Sequence, residues 1–172
     1  VDGHLNITDE GGTVQIRISK AFLILFGFLA TRQQISLTPP PPLVDRRVMR
    51  LHQFFEQLNA PAAALVPDFI RAADRHSLDW RLLPSLAVIE SGGGRQAMNN
   101  NYFGWENGRR RFRSPRHGVY HVAERLRHSR LYRNKKTVEE ILWTYNPEQQ
   151  YVERVLRLMR RLDETRGQAR LN

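Results

Sequence analysis

The residue of this chain best suited to chemistry is Glu90. It closes the apolar run Leu82-Leu83-Pro84-Ser85-Leu86-Ala87-Val88-Ile89 and is followed by Ser91-Gly92-Gly93-Gly94. The run reads as a short buried helix with Pro84 in its first turn, and the glycines permit the left-handed backbone that closes helices. Glu90 is then the first ionisable side chain after an apolar stretch, beside backbone that a ligand can approach. Burial and the negative end of the helix dipole both disfavour its ionised form. A carboxyl group that stays protonated near neutral pH is what a glycosidic general acid requires. An isolated Glu at a helix end more often simply faces water; only the flanking sequence alters that balance.

Glycoside hydrolysis usually employs a second carboxylate, about 5 to 10 Å from the first. Glu106 is the best candidate, because the turn Glu106-Asn107-Gly108 could fold over a cleft, although it reads equally well as a plain turn residue. Asp68, Asp74, Asp79 and Glu148 read as caps or solvated side chains. His117 and His121 stand four apart, a spacing that can bind metal, but no Glu completes a His-Glu-x-x-His pattern. Both read as surface residues, and no metal is expected. The absence of cysteine removes disulfides, thiolate ligands and Cys nucleophiles. Gly92 to Gly94 follow a helix where a phosphate loop would open one, and Ser91 lacks a nucleophile-elbow context. No cofactor is expected.

The elements around these residues read as helices. Asp45 suits an N-cap before Val48, Leu51, Phe55 and Leu58, which recur at helical steps until Asn59-Ala60-Pro61. A second helix is expected from about Ala62 to His76, starting later if Pro67 sets its first turn. A third begins at Ser114-Pro115 with the stripe Val119, Val122, Ala123 and Leu126. Thr137 and Glu140 form a capping box ahead of Val138, Ile141 and Leu142. Tyr145-Asn146-Pro147 breaks that helix, and Tyr151, Val155, Leu158 and Leu162 define the last. Asn107-Gly108, between the aromatic-bearing Tyr102-Phe103-Gly104-Trp105 and Arg111-Phe112-Arg113, signals a surface β-hairpin. The expected fold class is all-α with one small β-hairpin.

The 172 residues suffice for one ordinary domain plus a tail, and 41% hydrophobic with 9% aromatic content supports a real core. Arg17 and Lys20 precede the apolar run Ala21 to Ala30, which resembles the n- and h-regions of a signal peptide. It is shorter than the roughly 20 residues of a membrane span. A start at Val14 would leave a compact signal peptide; an uncleaved anchor is the alternative. Pro39 to Pro42 read as a stiff spacer. The expected organisation is therefore a tail over 1–38, a linker over 39–42, a catalytic domain over 43–166 and a short tail over 167–172. The net charge of +10 lies entirely beyond Pro42, since three basic and three acidic residues before it cancel. Such a surface favours polyanions, whether nucleic acid, anionic lipid or a cell-wall polymer.

In order, the chain presents a buried helix ending Ile89-Glu90-Ser91, then Asn99-Asn100-Asn101-Tyr102-Phe103-Gly104-Trp105, then Tyr145-Asn146-Pro147 and a terminal helix. Over roughly residues 62 to 163 this resembles the lysozyme-like fold of bacterial peptidoglycan-cleaving enzymes. It is most similar to endo-β-N-acetylglucosaminidase-like domains, with goose-type lysozymes and lytic transglycosylases as relatives. The resemblance implies that Glu90 protonates the glycosidic oxygen and that Ser91 fixes its carboxyl group. It implies that Tyr145 lines the cleft and that Asn146 contacts an N-acetyl group. Phe103 and Trp105 would offer stacking faces, and Asn100 and Asn101 amide hydrogen bonds. Each has a structural alternative: Phe103 and Trp105 as core, Tyr145 as a seal between helices, Asn146-Pro147 as a helix stop. Whether water or the sugar's own hydroxyl attacks stays open, because a lytic transglycosylase needs no second acid.

The implied partners are peptidoglycan glycan strands and anionic envelope polymers, outside the cytoplasm: periplasmic, secreted, or tethered through residues 21–30. The rival reading is a non-catalytic basic module binding nucleic acid or cell-wall polymer. Arg109-Arg110-Arg111, Arg113, Arg116, Arg125, Arg127, Arg130, Arg133, Lys135 and Lys136 would supply phosphate contacts. No helix-turn-helix or zinc pattern accompanies them, and the signal-like segment argues against nucleic acid.

Overall fold

The computed structural model describes residues 45–164, in which six α-helices and one 3₁₀ turn are formed and no strand is present. The apolar run 21–30, the proline run 39–42 and the tail 167–172 lie outside the described residues. Among the described residues no helix is long and apolar enough to cross a membrane.

Local sequence explains where most of the helices begin or end. Helix α1, Arg46–Gln57, is capped by Asp45, whose carboxylate accepts from the Arg47 N–H at 2.9 Å. A 3₁₀ turn, Pro61–Leu65, then leads into α2, Val66–Arg75, so that Pro67 falls in the first α-helical turn, where its missing N–H costs nothing. Helix α3, Leu82–Ser91, likewise carries Pro84 in its first turn. It ends at Gly92, whose φ of 61° lets the Gly92 and Gly93 N–H groups return to the carbonyls of Val88 and Ala87, each at 2.9 Å. Ser114 caps α4, Pro115–His128, by accepting from the His117 N–H. Thr137 and Glu140 make the reciprocal capping box of α5, Val138–Tyr145. The last helix, α6, spans Gln149–Glu164.

The core is a single cluster threaded by aromatic rings. Phe54, Phe55, Phe69 and Phe103 follow one another with centroid separations of 5.6, 5.5 and 6.4 Å, joining α1, α2 and the loop after α3. Helix α3 is the central element: Leu82, Leu83, Leu86 and Ala87 are fully buried. It packs chiefly on α6 and also on α2, while α2 packs on α4 and α5 on α6. A helix buried on nearly every side has little room for a charge. Glu90, at its C-terminal end, is the one ionisable residue it carries.

The expected β-hairpin around Asn107-Gly108 is not formed. Residues 102 to 113 make successive turns without a strand ladder. Gly104, Glu106, Asn107 and Gly108 all have positive φ, between 55° and 77°. The Asn101 side chain takes the hydrogen bonds a partner strand would have taken, accepting from the Trp105 N–H at 2.9 Å and donating to the Trp105 carbonyl at 3.0 Å. The Phe112 N–H bonds back to Asn99 and the Gly108 N–H to Gly104. The backbone polar groups are satisfied locally, so no ladder is needed. The turn is tight, as Asn-Gly demands, but it closes a loop.

Candidate active site

Glu90 lies on an open cleft of about 490 Å³, with the tight turn at Gly104, Trp105, Glu106 and Asn107 on one side. The end of α4 and the segment after it contribute Arg125, Ser129, Leu131 and Tyr132; the end of α5 contributes Thr144, Tyr145 and Asn146. The carboxyl group is held from two directions. The Tyr151 hydroxyl, on α6, donates to Oε1 at 2.5 Å. The other oxygen lies over Gly104: a Cβ at that position would stand 2.6 Å from Oε2. Only glycine fits there, both for the φ of +58° and for the approach of the carboxyl group.

Burial raises the pKa of Glu90 above the usual carboxylate value, and the Tyr151 hydrogen bond opposes the shift in part. The phenol bonds to Oε1, while Oε2 lies beside the cleft residue Gly104. Tyr145 and Tyr151 stack nearly parallel, 11° apart with centroids 6.1 Å apart, and Trp105 follows at 5.9 Å from Tyr145. The Tyr145 hydroxyl donates to the carbonyl of Phe103, tying α5 to the loop after α3. Burial pushes the ionisation of Tyr145, Tyr151 and Tyr132 upward, that of Tyr132 to about 12. All three phenols are therefore neutral at neutral pH, and those of Tyr145 and Tyr151 donate hydrogen bonds. The arrangement is a desolvated acid at the end of an aromatic row.

The structure brings Glu90, Trp105, Glu106, Tyr145 and Asn146 to one cleft and leaves the other sequence candidates elsewhere. Glu106 is exposed and faces the Arg110 guanidinium at 3.7 Å. Phe103 is wholly buried against Phe69 and offers no face to a sugar. Ser91 does not touch the Glu90 carboxyl group: its hydroxyl lies 2.9 Å from the Tyr102 carbonyl and 3.1 Å from that of Ala87, and accepts from the Gly94 N–H. It fixes the turn after α3. Asn101 is spent on the Trp105 turn, and Asn100 donates to the Phe112 carbonyl, away from the cleft lining.

Tyr151 is one of the residues that sequence reasoning missed at the site, with Gly104 and Arg125 among the others. Its place in a helical apolar stripe marks it as core, and it is 3% exposed. The available signal was its hydroxyl, since a buried phenol needs a hydrogen-bond partner. Among the described residues no group of three or more His, Cys, Asp or Glu side chains is placed to hold a metal ion.

No protein-family model, no curated protein and no solved structure matches the chain. What the described residues define is an all-α domain of six helices, with no family identified.

Proposed function

We propose that this domain cleaves the glycan strand of peptidoglycan, with Glu90 as general acid. The observation that carries the reading is the state of Glu90: a carboxyl group made a weaker acid by burial, hydrogen-bonded by Tyr151, and lying on an open cleft. A proton held by the Glu90 carboxyl group passes to the glycosidic oxygen as the bond to the anomeric carbon breaks, so the leaving sugar departs as a neutral alcohol. Trp105 and Tyr145 provide aromatic surface along the cleft, and Asn146 an amide at its edge. Proton donation rests on Glu90 alone; Glu106, exposed and ion-paired, is assigned no acid role.

The test is digestion of purified peptidoglycan by the full chain, with mass analysis of the fragments. Released fragments with new glycan ends support the reading, with reducing ends marking attack by water and anhydro ends marking attack by the sugar's own hydroxyl. Intact strands after prolonged incubation, with the protein still folded, contradict it and favour a basic binding module.

A further inference from the structure

Arg125 lies in the last turn of α4 and lines the same cleft as Glu90. Its side chain is exposed, and no carboxylate of the described residues forms an ion pair with it. The two acids in the cleft lining do not neutralise it. Glu90 is biased toward its neutral form by burial, and Glu106 faces Arg110. Nor is the charge isolated along the chain. From Arg125 to Lys136 the sequence has six cations (Arg125, Arg127, Arg130, Arg133, Lys135 and Lys136) and no acid. Ser129, Leu131 and Tyr132 of this stretch line the cleft, so the basic segment is also one of its walls.

We infer that Arg125 selects for a glycan that carries carboxylates, by pairing its guanidinium with one of them in the cleft. This rests on the reading of the cleft as a glycan site and goes further by naming the charge of the substrate. A planar guanidinium without an internal counter-ion matches a carboxylate with two parallel N–H···O bonds. A concave, positively charged wall also raises the local concentration of an anionic strand. The carboxylates of a peptidoglycan strand have two sources, the acidic substituent of the sugar itself and the attached peptide.

The experiment compares wild type, Arg125→Gln and Arg125→Lys on three substrates: a neutral N-acetylglucosamine oligomer, strands stripped of peptide, and intact strands. The readout is the ratio of kcat/KM on each acidic substrate to that on the neutral one. Arg125→Gln lowers the ratio about tenfold, the size expected for one charge-assisted hydrogen-bonded pair, through KM. Arg125→Lys restores part of it. A lowered ratio on stripped strands places the recognised carboxylate on the sugar; a lowered ratio on intact strands alone places it on the peptide. Arg130→Gln, in the same segment but outside the cleft lining, separates a local contact from a general loss of charge. An unchanged ratio in Arg125→Gln overturns the inference, as does an equal fall in Arg130→Gln. Binding makes the test independent of turnover: the affinity of Glu90→Gln for intact strands, which carry both kinds of carboxylate, is compared with that of the Glu90→Gln, Arg125→Gln double variant. A wild type that cleaves nothing defeats the proposed function. The Arg125 assignment then stands if the double variant binds about tenfold more weakly, and falls if the two bind alike.

Discussion

The Tyr151 hydroxyl donates a 2.5 Å hydrogen bond to Oε1 of Glu90, across 61 residues of sequence and between the two helices, α3 and α6, that pack against each other at the centre of the fold. The bond opposes the desolvation that raises the Glu90 pKa, because it favours the ionised form. Tyr151→Phe removes the donor, so the Glu90 pKa rises further. A general acid works only while protonated, so cleavage falls as pH rises through that pKa. The alkaline limb of the rate profile therefore moves to higher pH in Tyr151→Phe, with a stability cost of about 1 kcal/mol for the lost hydrogen bond. A limb that stays in place, measured as kcat/KM against pH, separates Tyr151 from the acid.

Glu90 itself destabilises the fold when ionised. Its folded pKa lies above the ordinary value of 4.5, so the stability of the protonated form is fully present below the unfolded pKa and is lost as pH rises through the raised folded pKa. Glu90→Gln has no such titration. The variant gains on wild type across this window and holds its advantage at higher pH. Melting temperatures of the two proteins at a series of pH values check the sign. A wild type that gains on the variant with rising pH would show that the carboxylate is stabilised in place.

Gly104 fits the turn and the acid at once. Gly104→Ala strains a backbone at φ +58° and places a methyl group 2.6 Å from Oε2. The expected cost is about 1–2 kcal/mol of stability. A fall in kcat accompanies it, because the carboxyl group must move away. Denaturation together with single-turnover cleavage measures both. A normal rate in Gly104→Ala would place the working position of Glu90 elsewhere.

Glu106 is tested by the chemistry of the products. Glu106→Gln retains cleavage if wild-type fragments carry anhydro ends, since the sugar's hydroxyl then attacks without a second carboxylate. It loses cleavage if they carry reducing ends and Glu106 activates the water. Mass analysis of fragments from both proteins makes the comparison, and reducing ends with full Glu106→Gln activity remove Glu106 from the reaction.

Elements encoded by neighbouring residues were legible in the sequence. Pro84 and Gly92 bracket α3, Asp45 and Ser114 cap α1 and α4, and Thr137 with Glu140 starts α5. What was not legible depends on partners far along the chain. Asn107-Gly108 announces a turn, but the Asn101 side chain decided that it would close a loop without strands. Phe103 was readable as core, and Phe69 meets it there; only the stacking face that the resemblance implied is absent. Ser91 adjoins Glu90 in sequence, yet its hydroxyl turns to the Tyr102 carbonyl. Helical spacing gives the face on which Tyr151 lies and says nothing of the carboxyl group it reaches.

The most direct test of Glu90 as proton donor is its dependence on the leaving group. Wild type and Glu90→Gln are compared on a sugar–sugar linkage, whose leaving oxygen needs a proton, and on a glycoside with a nitrophenolate leaving group, which departs without one. The expected loss on the sugar–sugar linkage is about 10²- to 10⁴-fold, the contribution typical of a positioned acid, with a much smaller loss on the activated glycoside. An equal loss on both substrates, or none on either, would contradict the assignment of Glu90 as the acid.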